Sequence, residues 1–199
     1  TGRTQIVVLA AGERNETLDA GLVEKPACGP EFTKITFADL SKGDVVFDQF
    51  LAEFGLTITG LRDGQTTGNA AMVFDSYDPS GGDTDLATID QGNLLIVSED
   101  DDQNDPDDAI GGTLIFDFAN GADIASLVVV DIEEAGGTID LFDIGGGLIK
   151  SVAIPVIGDG EKTTVNIGAL GATDVYEMRV NFAGSGAIDD ICLLSGEGS

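Results

Sequence analysis

Period-two alternation dominates the chain. Tyr176, Met178, Val180 and Phe182 alternate with Glu177, Arg179 and Asn181, as in a strand with one buried face. Leu114, Phe116 and Phe118 repeat the pattern around Ile115 and Asp117. Residues 93–97 and 127–130 are continuous apolar runs, which suit strands at the centre of a sheet. Shorter stretches of the same character predict strands over residues 34–37, 56–59, 70–74, 138–142, 148–154 and 163–167. Helical periodicity is nearly absent, although residues 48–54 can form one helical turn. About ten short strands, with 28 glycines available for the turns, predict an all-β chain folded as a jelly-roll-like β-sandwich with calcium-binding loops.

Composition sharpens this picture. A chain of 199 residues fits one large β domain, or one domain plus a fragment. Its formal charge of −27 would suit disorder, but 42% hydrophobic residues and ten Phe place the acids on a folded scaffold. So acidic a chain repels nucleic acid and anionic membranes, and it favours a monomer. Residues 124–132 are too short an apolar run to cross a membrane. The opening Thr-Gly-Arg has no apolar signal region, so the chain is expected to belong to a longer polypeptide.

Placement of the acids matters more than their number. Between Arg62 and Lys150 there is no basic residue but there are 20 acids, bunched into short segments. A solvated acidic surface would scatter them instead. Two carboxylates about 5 Å apart repel by roughly 1 kcal/mol in water, and more in a drier site. A folded loop holding several therefore needs an external cation. The absence of histidine and the wide spacing of Cys28 and Cys192 argue against zinc. In an oxidising compartment those cysteines can join the first and last strands of a sandwich; the alternative is two separate buried thiols.

Calcium takes six to eight oxygens from carboxylates, amides, carbonyls and water, and suits this composition better than magnesium. Acids two apart at a strand end point the same way, as do Asp83 with Asp85 and Asp131 with Glu133. Between these pairs lies residues 98–108, which carries Glu99, Asp100, Asp101, Asp102, Asn104, Asp107 and Asp108. Asp189, in Gly-Ser-Gly-Ala-Ile-Asp-Asp, is a further candidate, with a plain turn role as its alternative. No helix-loop-helix calcium loop is present: counted from Asp100, the sixth position is Asp105 and the twelfth Gly111. Tandem glycine-rich nonapeptides are absent too, which excludes a β-roll.

Two resemblances extend these readings. Residues 5–22, Gln-Ile-Val-Val-Leu-Ala-Ala-Gly-Glu-Arg-Asn-Glu-Thr-Leu-Asp-Ala-Gly-Leu, resemble the closing strands of the B-type repeats of bacterial surface proteins. This implies a boundary near residue 27, where Pro26 and Pro30 flank Cys28, with residues 28–199 as the main domain. An ordinary hairpin of that domain is the alternative. Secondly, Gly-Gly-Asp-Thr-Asp-Leu (81–86), Asn-Leu-Leu-Ile-Val-Ser-Glu (93–99), Pro-Asp-Asp (106–108), Gly-Gly-Thr-Leu-Ile-Phe-Asp-Phe (111–118), Asp-Ile-Glu-Glu (131–134) and Gly-Ser-Gly-Ala-Ile-Asp (184–189) together resemble the calcium-dependent peptide-binding domain of large bacterial RTX adhesins.

That resemblance spans roughly residues 33–194. It implies a β-sandwich holding several calcium ions at the bacterial cell surface. Such a domain captures the C-terminal end of a partner's peptide, with calcium holding the terminal carboxylate. The implied metal ligands are Asp83, Asp85, Glu99, Asp107, Asp108, Asp131 and Glu133, with Asp100, Asp102, Asn104 and Asp189 as additional candidates. Near an open coordination position, Gly81, Gly82, Gly111 and Gly112 can offer backbone N–H groups to the ligand, with Asp101 beside them.

Three other functions compete with an adhesion module. A calcium-stiffened spacer is commonly a smaller, repeated unit, and this chain has no internal repeat. A calcium-dependent carbohydrate-binding module usually stacks sugars on Trp or Tyr, whereas here there is no Trp and only Tyr77 and Tyr176. Calcium can, however, coordinate sugar hydroxyls directly, so a glycan is the alternative partner. A glycosidase would need one carboxyl of raised pKa in a deep cleft, and calcium would lower the pKa of the acids beside it. The chain is therefore expected to bind and not to catalyse.

Overall fold

The computed structural model describes residues 28–29, 32–80, 84–88, 90–104, 108–167 and 172–194. The suggested terminal strands of a preceding repeat, residues 1–27, lie outside these. The ten strands are β1 (Phe32–Ile35), β2 (Leu56–Arg62), β3 (Ala71–Asp75), β4 (Asn93–Val97), β5 (Gly112–Val130), β6 (Thr138–Phe142), β7 (Leu148–Ala153), β8 (Lys162–Asn166), β9 (Val175–Phe182) and β10 (Ala187–Leu194). All pairings are antiparallel. One helical turn, α1 (Leu51–Phe54), stands inside the predicted 48–54 segment and is closed by Gly55 in the left-handed conformation.

The strands form a two-sheet jelly-roll-like sandwich. One sheet runs β2-β5-β9-β6-β7 and the other β3-β4-β10-β5-β8, with β1 paired along the far part of β10. β5 belongs to both: residues 112–118 pair with β2 and β9, and residues 123–130 with β10 and β8. Positive φ at Gly121 and a register shift between Asp117 and Ala122 mark the corner. The alternating and continuous apolar segments expected as two strands are thus the two halves of one.

Periodicity tells the sheets apart. In the β2-β9-β6 sheet, every second residue is buried: Leu56 and Ile58, Leu114 and Phe116, Ile139 and Leu141, Met178 and Val180. These meet Leu95, Leu127, Val129, Ile188 and Ile191 of the other sheet in one core. The second sheet is covered on its outer face as well, where Met72, Phe74, Leu94, Ile96, Val128 and Val130 pack with Leu86. Its central strands β4 and β5 therefore read as continuous apolar runs. Burying each such side chain stabilises the fold by roughly 1.5–3 kcal/mol against leaving it in water.

The open side of the sandwich is closed by backbone. Ile58 N–H donates to Phe47 O at 2.8 Å, Val46 N–H to Ala71 O at 2.9 Å and Ala70 N–H to Gly60 O at 2.8 Å, which links the β2 edge to β3. A disulfide joins Cys28 to Cys192 across 164 residues, so the segment before the first strand is fastened to the last strand. β10 corrects the reading of residues 184–190 as a single metal loop. Ile188, Ile191 and Leu193 drive that stretch into the core, and only residues 183–186 remain a connection.

Candidate metal centre

At the end of β5 the strand stops on an acid. Asp131 takes a left-handed backbone conformation, φ 56°, and donates its N–H to Glu161 O at 2.8 Å. Its side chain is fully buried. There it accepts the Gly160 N–H on Oδ1 at 2.9 Å and the Ser185 hydroxyl on Oδ2 at 3.3 Å. The N–H groups of Ile157 and Gly158 donate to Ile132 O at 2.9 and 3.1 Å, holding the 157–161 connection alongside. Asp159 is thereby placed against Asp131. The third member is Asp85, in the short 3-10 turn Thr84–Leu86; an added Cβ on Gly160 would lie 3.4 Å from its carbonyl oxygen.

One carboxylate oxygen from each of Asp85, Asp131 and Asp159 lies within 4.8 Å of the others. Two unit charges at such a distance repel by about 3 kcal/mol at an effective dielectric constant near 20. Among the described residues none of the three has an ion-pair partner: the described lysines and arginines with ion pairs hold Asp190, Asp78, Asp101, Asp90 and Glu177. Burial pushes the Asp131 carboxyl above its usual pKa; the Gly160 N–H opposes this, Asp85 adds to it, Ser185 opposes it and Asp159 adds to it. Exposed Glu133 is also pushed up, by desolvation first and then by Asp131, Asp159, Glu134 and Asp85.

The donor set suits a hard cation. Carboxylates and a hydroxyl are present, the chain has no histidine, and both cysteines are in the disulfide. Oxygens on opposite sides of one calcium ion stand about 4.8 Å apart, twice a bond length near 2.4 Å, whereas magnesium draws them to about 4.2 Å. The observed span of 4.8 Å fits the larger ion.

Asp85 and Asp131 were expected ligands from separate motifs, and the structure brings them together. Asp159 was not foreseen. It stands between two glycines, the commonest setting of a mere turn residue, and only the bonds to Ile132 and Asp131 reveal its position. Glu133 is outside the triad: the left-handed conformation at Asp131 breaks the two-residue alternation that would have put both acids on one side. Asp83, Asp107, Gly81 and Gly82 lie outside the described residues.

The acidic loop behaves differently from expectation. Its exposed carboxylates cap their own backbone instead of converging: Asp100 accepts the Asp102 N–H at 2.8 Å, and Asp102 accepts the Asn104 N–H at 2.9 Å. Glu99 is exposed and belongs to no carboxylate group among the described residues. Asp101 is ion-paired with Arg62. Asp108 is buried, accepts the Ile110 N–H at 3.0 Å, and its carbonyl takes the Gly111 N–H at 2.8 Å. Gly111 therefore has no N–H left for a ligand. Gly112 is the first residue of β5, paired with Arg62 and Phe182. Asp189 is apart from the triad.

A cleft of about 580 Å³ lies at the same end of the sandwich, walled by Arg62, Gly112, Thr113, Arg179, Asn181 and Phe182 among others. Phe182 also begins the short connection to Ser185, which donates to Asp131. Three residues of chain, at most about 11 Å, thus separate a cleft wall from the triad.

No family model matches the chain, and no curated protein matches it. Several solved structures are similar. A fucose-binding module of Streptococcus pneumoniae is 10% identical, with 80% of this chain and 94% of that one covered and a TM-score of 0.37. The F5/8 type C domain of a Bacteroides fragilis protein is 7% identical, with 82% and 97% covered and a TM-score of 0.35. TmCBM61, solved with beta-1,4-galactotriose, is 16% identical, with 69% and 86% covered and a TM-score of 0.36. Likeness at this level assigns neither family nor ligand.

Proposed function

We propose that this chain is a calcium-dependent ligand-binding module of an extracellular bacterial surface adhesin, and that it captures the C-terminal carboxylate of a partner's peptide. The carrying observation is the convergence of Asp85, Asp131 and Asp159 from three connections onto one place with no positive partner. Three carboxylates held by backbone bonds at such separations are what a calcium ion requires and what a fold without one has reason to avoid. Bound there, calcium would reverse the local sign and offer a coordination position to a ligand carboxylate.

The protein's own groups provide the rest. Gly160 N–H and Ser185 Oγ fix the Asp131 carboxylate, and the nearby cleft offers Thr113, Asn181 and Arg179 to the remainder of a ligand. The disulfide fits an oxidising, extracellular setting. No helix among the described residues is long and apolar enough to cross a membrane. The role is binding and not turnover, since a cation on the triad keeps its carboxylates ionised and unfit for general-acid work. A glycan is the second reading, favoured by the polar side chains of the same cleft.

A peptide array probed in calcium and in EDTA, with free and amidated C-termini, tests the proposal. Binding to free termini only, and only in calcium, is expected. Equal binding to both termini overturns carboxylate capture, and calcium-dependent signal on a parallel glycan array instead would install the second reading.

A further inference from the structure

Three carboxylates are buried among the described residues: Asp108, Asp131 and Asp189. The first two have partners suited to them, in Ile110 N–H for Asp108 and in Gly160 and Ser185 for Asp131. Asp189 does not. It is 2% exposed; its Oδ2 accepts the Gln91 amide at 3.0 Å, and its Oδ1 has no partner. One other buried side-chain oxygen among the described residues has none, the Thr88 hydroxyl, on a residue 5% exposed. Gln91 ties the two places together, since its backbone N–H donates to Thr88 O at 3.4 Å while its side chain reaches Asp189.

The surroundings are dry. Strand alternation puts Asp189 on the same face of β10 as Ala187, which packs with Met72, Leu86, Leu94, Ile96 and Val128 beneath the 84–91 segment. Nearby cations are committed elsewhere: Lys34 is paired with Asp190, and Lys162 stands 3.6 Å from Asp90 and donates to Gln91 Oε1 at 2.7 Å. Burying a carboxylate with one free oxygen and no direct counter-charge costs several kcal/mol. A proton is not the remedy near neutral pH, because burial, opposed by the Asp190 N–H, raises this carboxyl only to about 6. A bridging water would satisfy both oxygens but leave the charge.

We propose that Asp189 Oδ1 and Thr88 Oγ1 are ligands of a second calcium ion, held between β10 and the 84–91 segment. It is a different site from the triad: Asp189 pairs with Val128, three residues before Asp131, on the order of 10 Å along β5. One segment then serves both ions, with Asp85 at the first and Thr88 at the second, so filling either site orders the residues that the other needs. The inference rests on reading the chain as a calcium binder.

Calcium stoichiometry of the full chain, by titration calorimetry and native mass spectrometry, tests it with Asp189→Asn, Thr88→Val and Asp131→Asn. Asp189→Asn is expected to bind one ion fewer than wild type, Thr88→Val to weaken one ion about tenfold, and Asp131→Asn to lose the other ion. Because asparagine removes only the buried charge, Asp189→Asn should also melt above wild type in EDTA and below it in calcium. Unchanged stoichiometry in Asp189→Asn, with a higher melting temperature in both buffers, overturns the site. An unaffected Thr88→Val removes Thr88 from it. Loss of an ion in Asp189→Asn but not in Asp131→Asn would refute the triad while leaving this site standing.

Discussion

Asp131 accepts the backbone N–H of Gly160 at 2.9 Å, and this one bond turns a glycine-flanked turn into part of a carboxylate cluster. The preceding residue, Asp159, is thereby held within reach of Asp131 and Asp85. Like charges stand together because the backbone holds them there.

Removing one charge from the triad should expose that arrangement. Wild type at a calcium concentration about 100-fold above Kd is expected to gain roughly 2.7 kcal/mol over EDTA, or about 5–10 °C in melting temperature. Asp131→Asn retains an oxygen for the Gly160 N–H, so it should lose most of that gain while melting in EDTA no lower than wild type. Asp159→Asn, at an exposed position, should weaken the ion about tenfold with apo stability within about 0.5 kcal/mol of wild type. Scanning calorimetry in both buffers checks all of these.

The disulfide closes a loop of 164 residues, and the chain-entropy argument assigns it on the order of 4 kcal/mol. Reduction, or the Cys28→Ala/Cys192→Ala variant, should lower the urea midpoint accordingly. The β1–β10 pairing beside it should lose amide protection first in hydrogen exchange.

In chelator, Asp189 should leave a signature in the pH dependence. Its carboxyl, about 6 in the folded protein against 3.8 as the reference value, is raised chiefly by burial. The folded state therefore holds the proton over a window in which the unfolded chain has released it. Stability falls as pH rises from about 4 to 6 and is level above, with a total on the order of 2–3 kcal/mol. Asp189→Asn should abolish that decline, matching wild type near pH 4 and exceeding it at pH 7. Denaturant titrations at several pH values in EDTA would reveal it.

Gly111 should tolerate no side chain. Its φ is +94°, and an added Cβ would lie 2.5 Å from Phe182 O. Gly111→Ala is expected to cost at least about 2 kcal/mol. Because Phe182 walls the cleft, it should also weaken whatever binds there, as an equilibrium denaturation paired with the peptide array would report.

Much of the fold was legible because burial writes itself into residue order. β9 and β6 show one buried face, and β4 reads as continuously apolar because the 84–91 segment covers the outside of its sheet. β10 was obscured by its acids: Asp189 and Asp190 interrupt the apolar signal of Ile188, Ile191 and Leu193, and the stretch looked like loop chemistry. The acidic run at 98–104 misled in the opposite way. Its density suggested convergence, but Asp100 and Asp102 turn onto their own backbone, which local sequence permits as readily as metal ligation.

By itself, the sequence determined the all-β class, the sandwich, the separation of charge from core, and Asp85 and Asp131 as members of a site. These follow from periodicity and from acids at strand ends, both of which are local. Tertiary structure alone decided that Asp159 and not Glu133 completes the triad, that Gly111 is tied within a turn, and that Asp189 is buried with one oxygen unmatched. Each depends on which connections meet at one end of the sandwich. That meeting is set by the corner in β5 and the pairing of β10, contacts between residues far apart in the chain that no short pattern encodes.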